Sequence, residues 1–286
     1  MAPLYLSLCA MFFCIVDNCG AIEAVQSPFN QNYVPSWGFD HITYMNQNTE
    51  VQIRIDPSSG GGFISRLAYG SGDFQMSVKI PPNNSSGIIT TFYLTSVGNN
   101  AQGGSNNDEL DFELLGHNGP PYTLSTNVFA QDSGNREKQF QLWFDPTLDF
   151  HDYRLLWNPK QIVFFVDQIP IRVFKNNERI GVNYPKLPMY IRASLWNGTQ
   201  WLGPVDWSHG PFSANYRQFE IVGCPYDNSK PQDQCMSSNY PWNAPDKWQL
   251  DPRQQKLYED YTKRYTTYNY CQSKYVADFP ECQISS

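Results

Sequence analysis

The segment NNDELDFELLGH, residues 106–117, places Glu109, Asp111 and Glu113 at every second position, with Leu110, Phe112 and Leu114 between and after them. In a strand, alternate side chains point to opposite faces. The three acids therefore share one face, and the three apolar residues share the other, which must be the core. Burying carboxylates is costly and like charges this close repel, so the acidic face must line a groove. Two carboxyl groups flanking a glycosidic bond can hydrolyse or transfer it. In the retaining mechanism one is the nucleophile and the other the acid/base, about 5–5.5 Å apart. Cα atoms four residues apart in a flat strand are about 13 Å apart, so both Glu side chains must lean inward, helped by a concave sheet. Glu109 is then the nucleophile and Glu113 the general acid, later the base. Asp111, between them, can hydrogen-bond Glu109, orient it and hold it ionised. Mutual repulsion raises at least one pKa, which suits an acid that must stay protonated near neutral pH. Two plainer readings compete. One is a solvated strand face. The other is a calcium site, which needs six or more oxygens, usually from a loop, where a straight strand supplies too few.

Such a strand needs a sheet around it, and the chain offers one. EVQIRID (50–56) and DFQMSVKI (73–80) alternate, IITTFYLTS (88–96) and MYIRASLW (189–196) read as strands, and residues 161–174 read as a hairpin turning at Asp167-Gln168. PSSGGG and PPNNSSG punctuate them. Many short strands with regular turns and no helix-length amphipathic segment predict an all-β, antiparallel sandwich or barrel from about residue 25 to 223. In LWNGTQW, where a strand breaks into a loop, Trp196 and Trp201 offer flat faces to sugar rings, although either alone is more often a packing residue and only the two together make stacking as good a reading.

Composition narrows the ligand. The 286-residue chain is 15% aromatic and 16% charged, with a net charge of -7. A nucleic-acid partner is not expected, and a neutral ligand fits best. Residues 1–21 read as a secretory signal: the apolar run 4–16 is too short to span a bilayer and is followed by small residues, although no Lys or Arg precedes it. No other run is long enough to cross a membrane. Removing the signal takes Cys9, Cys14 and Cys19 with it and leaves Cys224, Cys235, Cys271 and Cys282. An even remainder fits disulfides in an oxidising compartment. Of three connectivities, Cys224–Cys235 with Cys271–Cys282 is preferred. Sequons at Asn83, Asn84 and Asn197 fit secretion.

Beyond Cys224 the sequence turns rich in Pro, Asn and Ser and reads as a loop. A helix follows, with Asp251 as N-cap, Pro252 in its first turn and Gln254 completing a capping box. Leu257, Tyr261, Tyr265 and Tyr268 form one face of that helix. This tail, residues 224–286, is too small to hold a core of its own and should pack on the sandwich.

These segments resemble, in order and over nearly the whole mature chain, the xyloglucan endotransglucosylase/hydrolase family of plant cell walls, within glycoside hydrolase family 16. The resemblance is carried by YGSGDFQMSVKIP, SSGIITTFYLTS, DELDFELLG, TNVFAQDSGNRE, LWFDPTLDFHDYRLLWNP, VDQIPIRVFKN, DWSHGPFSANYRQFEIVGC and YTTYNYC with its later FPEC. It implies a concanavalin-like jelly roll over residues 22–223, with a family-type C-terminal extension over 224–286. It implies the same roles for Glu109, Asp111 and Glu113. It further implies substrate contacts at Ser125, Thr126 and Asn127, at Asn135, Arg136 and Glu137, at Trp196, Gln200, Trp201 and Gly203, and at Lys274. The expected reaction is cleavage of a β-1,4-glucan bond of xyloglucan, then transfer of the chain to another saccharide's 4-hydroxyl or to water. Donor and acceptor are xyloglucan or a related β-glucan. No metal or organic cofactor is needed, and a monomer secreted to the cell wall, or apoplast, is expected. Asn107 stands where the family usually has His, Ser125 where it has Gln, and Lys274 where an Arg lies slightly further on. The sequon after the acid motif is absent, and the loop after Trp196 is shorter, which in the family goes with transfer. Cellulose or mixed-linkage glucan as donor, and a non-catalytic glucan-binding wall protein, are the rival readings.

Overall fold

The computed structural model describes residues 28–98, 106–231 and 233–284. The proposed signal and its three cysteines lie outside them. Among the described residues there are fourteen strands. They are β1 (Tyr33–Trp37), β2 (Ile42–Met45), β3 (Glu50–Ile55), β4 (Gly61–Lys79), β5 (Ile88–Thr95), β6 (Asp108–Leu115), β7 (Thr123–Ala130), β8 (Lys138–Gln141), β9 (His151–Trp157), β10 (Gln161–Val166), β11 (Ile169–Lys175), β12 (Met189–Asn197), β13 (Phe212–Pro225) and β14 (Thr266–Asn269).

The long strand β4 organises them. Its Gly61–Tyr69 half pairs with β12 and β1, while its later half pairs with β13 and β9. The YGSG stretch at the changeover gives a strand room to bend. One layer therefore runs β1-β4-β12-β5-β6-β7-β8-β14, and the other β2-β3-β13-β4-β9-β10-β11, antiparallel throughout. This is the expected antiparallel sandwich. Apolar faces meet between the layers: the Phe112 ring of β6 lies 5.5 Å from Tyr153 of β9 and 5.2 Å from Phe164 of β10.

The hairpin turn is where the sequence puts it. Asp167 and Gln168 both adopt positive φ, 48° and 66°, as a two-residue turn between right-twisted strands requires. Every residue of β10 is buried. Its inner face meets the core. Its outer residues Val163 and Phe165 pack with Cys224, Cys235 and Trp242, so the Cys-pinned loop of the tail covers them.

The disulfides are Cys224–Cys235 and Cys271–Cys282. The tail helix spans Pro252–Tyr265 and opens with the reciprocal Asp251/Gln254 capping box. Tyr261 and Tyr265 hold Trp143 against it. Tyr268 departs from the expectation. The chain leaves the helix at Thr266 and joins the edge of β8 as β14, leaving Tyr268 exposed. Pairing with an open sheet edge outweighs one further turn of helix.

Candidate active site

Strand β6 divides as its alternation demands. Leu110, Phe112 and Leu114 are fully buried in the core. Glu109, Asp111 and Glu113 line a cleft of about 600 Å³ on the opposite face.

Directly opposed residues of neighbouring strands share a face, so the cleft can be read as rows across the sheet. Glu109 lies between Thr95 and Phe129; Asp111 lies between Tyr93 and Asn127, with Arg192 beyond Tyr93; Glu113 lies between Thr91 and Ser125, with Ser194 beyond Thr91. Glu109 accepts hydrogen bonds from Thr95 and Asp111, and a long one, 3.4 Å, from Asn107 Nδ2. Tyr93 and Arg192 are hydrogen-bonded to each other.

The electrostatics separate the acids. Burial, with the negative charges of Glu109 and Glu113, pushes Asp111 well above the carboxylate range. The hydrogen bond that Asp111 shares with Glu109 raises Asp111 further and lowers Glu109, so it favours Asp111 as the donor. Glu109 is also raised by burial, but the hydrogen bonds from Thr95 and Asp111 and the charge of Arg192 pull it back toward the ionised form. Burial and the charges of Glu109 and Glu137 raise Glu113 to about 7. The Asp111–Glu109 pair thus favours the proton on Asp111 over Glu109, and Glu113 is a second carboxyl poised to give and take a proton near neutrality. Among the described residues, no group of three or more His, Cys, Asp or Glu is arranged to hold a metal ion.

Asn127, Glu137, Trp196 and Trp201 join the acids in the cleft. Asn127 Nδ2 donates to Glu137 at 3.4 Å. Ser125 lies beside Glu113, wholly buried, and its Oγ has no hydrogen-bond partner among the described residues. The remaining expected contacts lie elsewhere. Thr126 opposes Phe112 and so points to the core side; it donates to the Lys138 carbonyl and accepts from Arg172. Arg136 is buried against the tail, donating at 2.8 Å to both Glu281 and Asp132. A buried guanidinium needs carboxylate partners, and the tail supplies one. Asn135 is exposed at φ 58° and donates to Ser133. Gln200 is exposed in a one-turn helix, Thr199–Leu202, and Gly203 ends that turn at φ 88°. Lys274 is exposed with its Nζ 4.9 Å from the Tyr275 ring. None of these six lines the cleft.

Thr91, Tyr93, Thr95, Phe129, Arg192 and Ser194 do line it, and motif spacing missed them. The signal was the polar stripe of two neighbouring strands: every second residue of TTFYLT and of YIRASLW falls on the acid face.

The model for "Glycosyl hydrolases family 16" matches residues 29–213. The chain is 50% identical over 263 residues to xyloglucan endotransglucosylase/hydrolase protein 3 of Arabidopsis thaliana, covering 89% of this chain and 88% of that protein. It is 47% identical over 273 residues to protein 2 of the same group and plant, covering 92% and 90%. Among solved structures, a Bacillus licheniformis β-glucanase superposes with a TM-score of 0.54 at 24% identity, over 65% of this chain and 89% of that one. At that identity it speaks for the fold alone. With the jelly-roll layers, the acid strand and these matches in agreement, the chain belongs to glycosyl hydrolase family 16, among its xyloglucan endotransglucosylase/hydrolases.

Proposed function

We propose that this chain is a retaining endo-transglucosylase. It cleaves the β-1,4-glucan backbone of xyloglucan and rejoins it to another xyloglucan chain, with hydrolysis as the side reaction. The observation that carries the reading is the placement of three carboxyls on one face of one strand: burial raises all three, the hydrogen bond from Asp111 and the charge of Arg192 favour the ionised form of Glu109, and Glu113 is raised to about 7. Glu113 protonates the glycosidic oxygen as the Glu109 carboxylate attacks the anomeric carbon, leaving a glycosyl-enzyme. Glu113, now ionised, takes the proton of an incoming hydroxyl. The acceptor oxygen displaces Glu109, and two inversions give net retention.

Transfer wins over hydrolysis only if an acceptor sugar is held where water would otherwise react. Trp196 and Trp201, beside the acids, suit that task. The relatives are named for xyloglucan, and they match most of this chain. Secretion to the cell wall as a monomer, with residues 1–21 as signal, 22–223 as catalytic unit, 224–286 as extension and glycans on Asn83, Asn84 or Asn197, completes the proposal. Assaying xyloglucan, cellulose and mixed-linkage glucan as donors with a labelled xyloglucan oligosaccharide tests it. Incorporation from xyloglucan, abolished by Glu109→Ala, is expected. Turnover of another donor alone would replace the substrate. Binding without turnover would make the chain a glucan-binding protein.

A further inference from the structure

The eight tryptophans divide by what occupies them. Trp157, Trp242 and Trp248 donate their indole N–H to Pro185 O, Ser71 Oγ and Asn243 O. Trp143 and Trp207 pack their rings on Tyr261 and Phe212. Among the described residues, Trp37, Trp196 and Trp201 have neither an acceptor nor a ring partner. Two of these three line the cleft. The third, Trp37, lies at the end of β1, on the edge of the same layer, and is 38% exposed.

Its place in the sheet links it to the acids. Trp37 opposes Gly62, Gly62 opposes Ser194, Ser194 opposes Thr91, and Thr91 opposes Glu113. All five positions therefore lie on one row of the cleft face. Gly62 has no side chain, and the indole takes the vacated space: a Cβ there would lie 2.5 Å from Trp37 Nε1. The neighbouring Gly38, at φ 60°, seats the chain where a Cβ would meet the Gly60 carbonyl oxygen at 2.0 Å. The floor between Trp37 and Glu113 consists only of Gly, Ser and Thr. From Gly62 to Glu113 is three strand spacings, or about 14 Å, enough for more than one sugar ring. At its far end stands a flat apolar ring with one unused donor. That pairing matches a pyranose, which has an apolar C–H face and a rim of hydroxyls.

We infer that Trp37 is a distal sugar-ring platform, holding the part of a β-glucan chain that extends over β12 and β4 toward β1. The inference rests on the glucan reading of the cleft. The glycine run of PSSGGG then has a function beyond its turn, since Gly62 leaves room for the platform.

The test uses the full chain carrying Glu109→Ala, so that ligand survives. Calorimetry gives dissociation constants for linear β-1,4-glucan oligosaccharides of increasing length. Affinity rises with length while Trp37 is present. Trp37→Ala weakens the longest ligands about ten-fold and leaves the shortest unchanged. Trp37→Phe, which keeps a ring and guards against misfolding, recovers most of the loss. Equal weakening at every length, no weakening, or no binding at any length overturns the inference. Failure of the wild type to turn over xyloglucan would sink the proposed function and leave this length-dependent loss standing or falling by itself.

Discussion

The Asp111 carboxyl donates a hydrogen bond to the Glu109 carboxylate, and that bond raises Asp111 while lowering Glu109. Asp111 therefore acts as a neutral donor, and its charge is not needed. Asp111→Asn keeps an N–H donor of similar reach, whereas Asp111→Ala leaves Glu109 buried with one donor fewer. Loss of one preorganised donor to a reacting oxyanion costs roughly 10²–10³ in kcat, and that is the expected loss for Asp111→Ala. Asp111→Asn should retain clearly more activity. Steady-state kcat for the two variants decides it, and equal losses would mean that Asp111 acts through its charge.

Glu113 must be protonated to assist departure of the leaving group, so the alkaline limb of kcat/KM is set by its rise to about 7. Glu109 must be ionised, and burial lifts it, so the acidic limb lies above the ordinary glutamate value. Because the acids interact, the two limbs report the group as a whole. The Glu137 carboxylate contributes to raising Glu113. Removing that charge with Glu137→Gln lets Glu113 ionise more readily. The alkaline limb must then move to lower pH, with the acidic limb nearly fixed. A pH profile with an unmoved or raised alkaline limb contradicts this coupling.

Asn107 is the departure from the family pattern nearest the nucleophile, yet its Nδ2 stands 3.4 Å from Glu109. A bond of that length is weak. Thr95 and Asp111 carry the stabilisation. Asn107→Ala should therefore change kcat less than about ten-fold, since even a well-formed hydrogen bond to a charged group contributes only about 1.5–3 kcal/mol and this one is at the limit of length. Thr95→Val should cost more. Parallel rate measurements check the order, and a larger loss at Asn107 would show that position 107 governs the nucleophile.

The acid strand was legible because one period-2 pattern reports both burial and chemistry. The hairpin and the capping box were legible for a similar reason, each being decided by residues close in sequence. Thr126 lies off the cleft because adjacent positions of the strand segment STN point to opposite faces, so that motif read as a block cannot all face the ligand. Arg136 answers to Glu281, 145 residues away, and Trp37 to Gly62 through strand pairing. Tyr268 kept the helical spacing but met a sheet edge. Each miss turns on a partner that only the folded chain supplies.

The Arg136–Glu281 pair also joins the tail to the cleft. Arg136 is held on one side by Glu281 and Asp132, and on the other its backbone N–H donates to Asn127 Oδ1, the residue opposite Asp111. Both members of the pair are almost fully buried. Removing one partner of a buried pair strands the other charge, at a cost of about 3–5 kcal/mol. Asp132 remains on Arg136, so Glu281→Ala should fall near the lower end, about 3 kcal/mol. Glu281→Gln, which still accepts from Nε, should cost less. The loss should raise the concentration of polysaccharide needed for half-maximal rate as Asn127 loosens, with a smaller change in kcat. Urea unfolding gives the stability of each variant and steady-state kinetics the split. A Glu281→Ala chain as stable as the wild type would show that the tail rests on the sandwich without this pair.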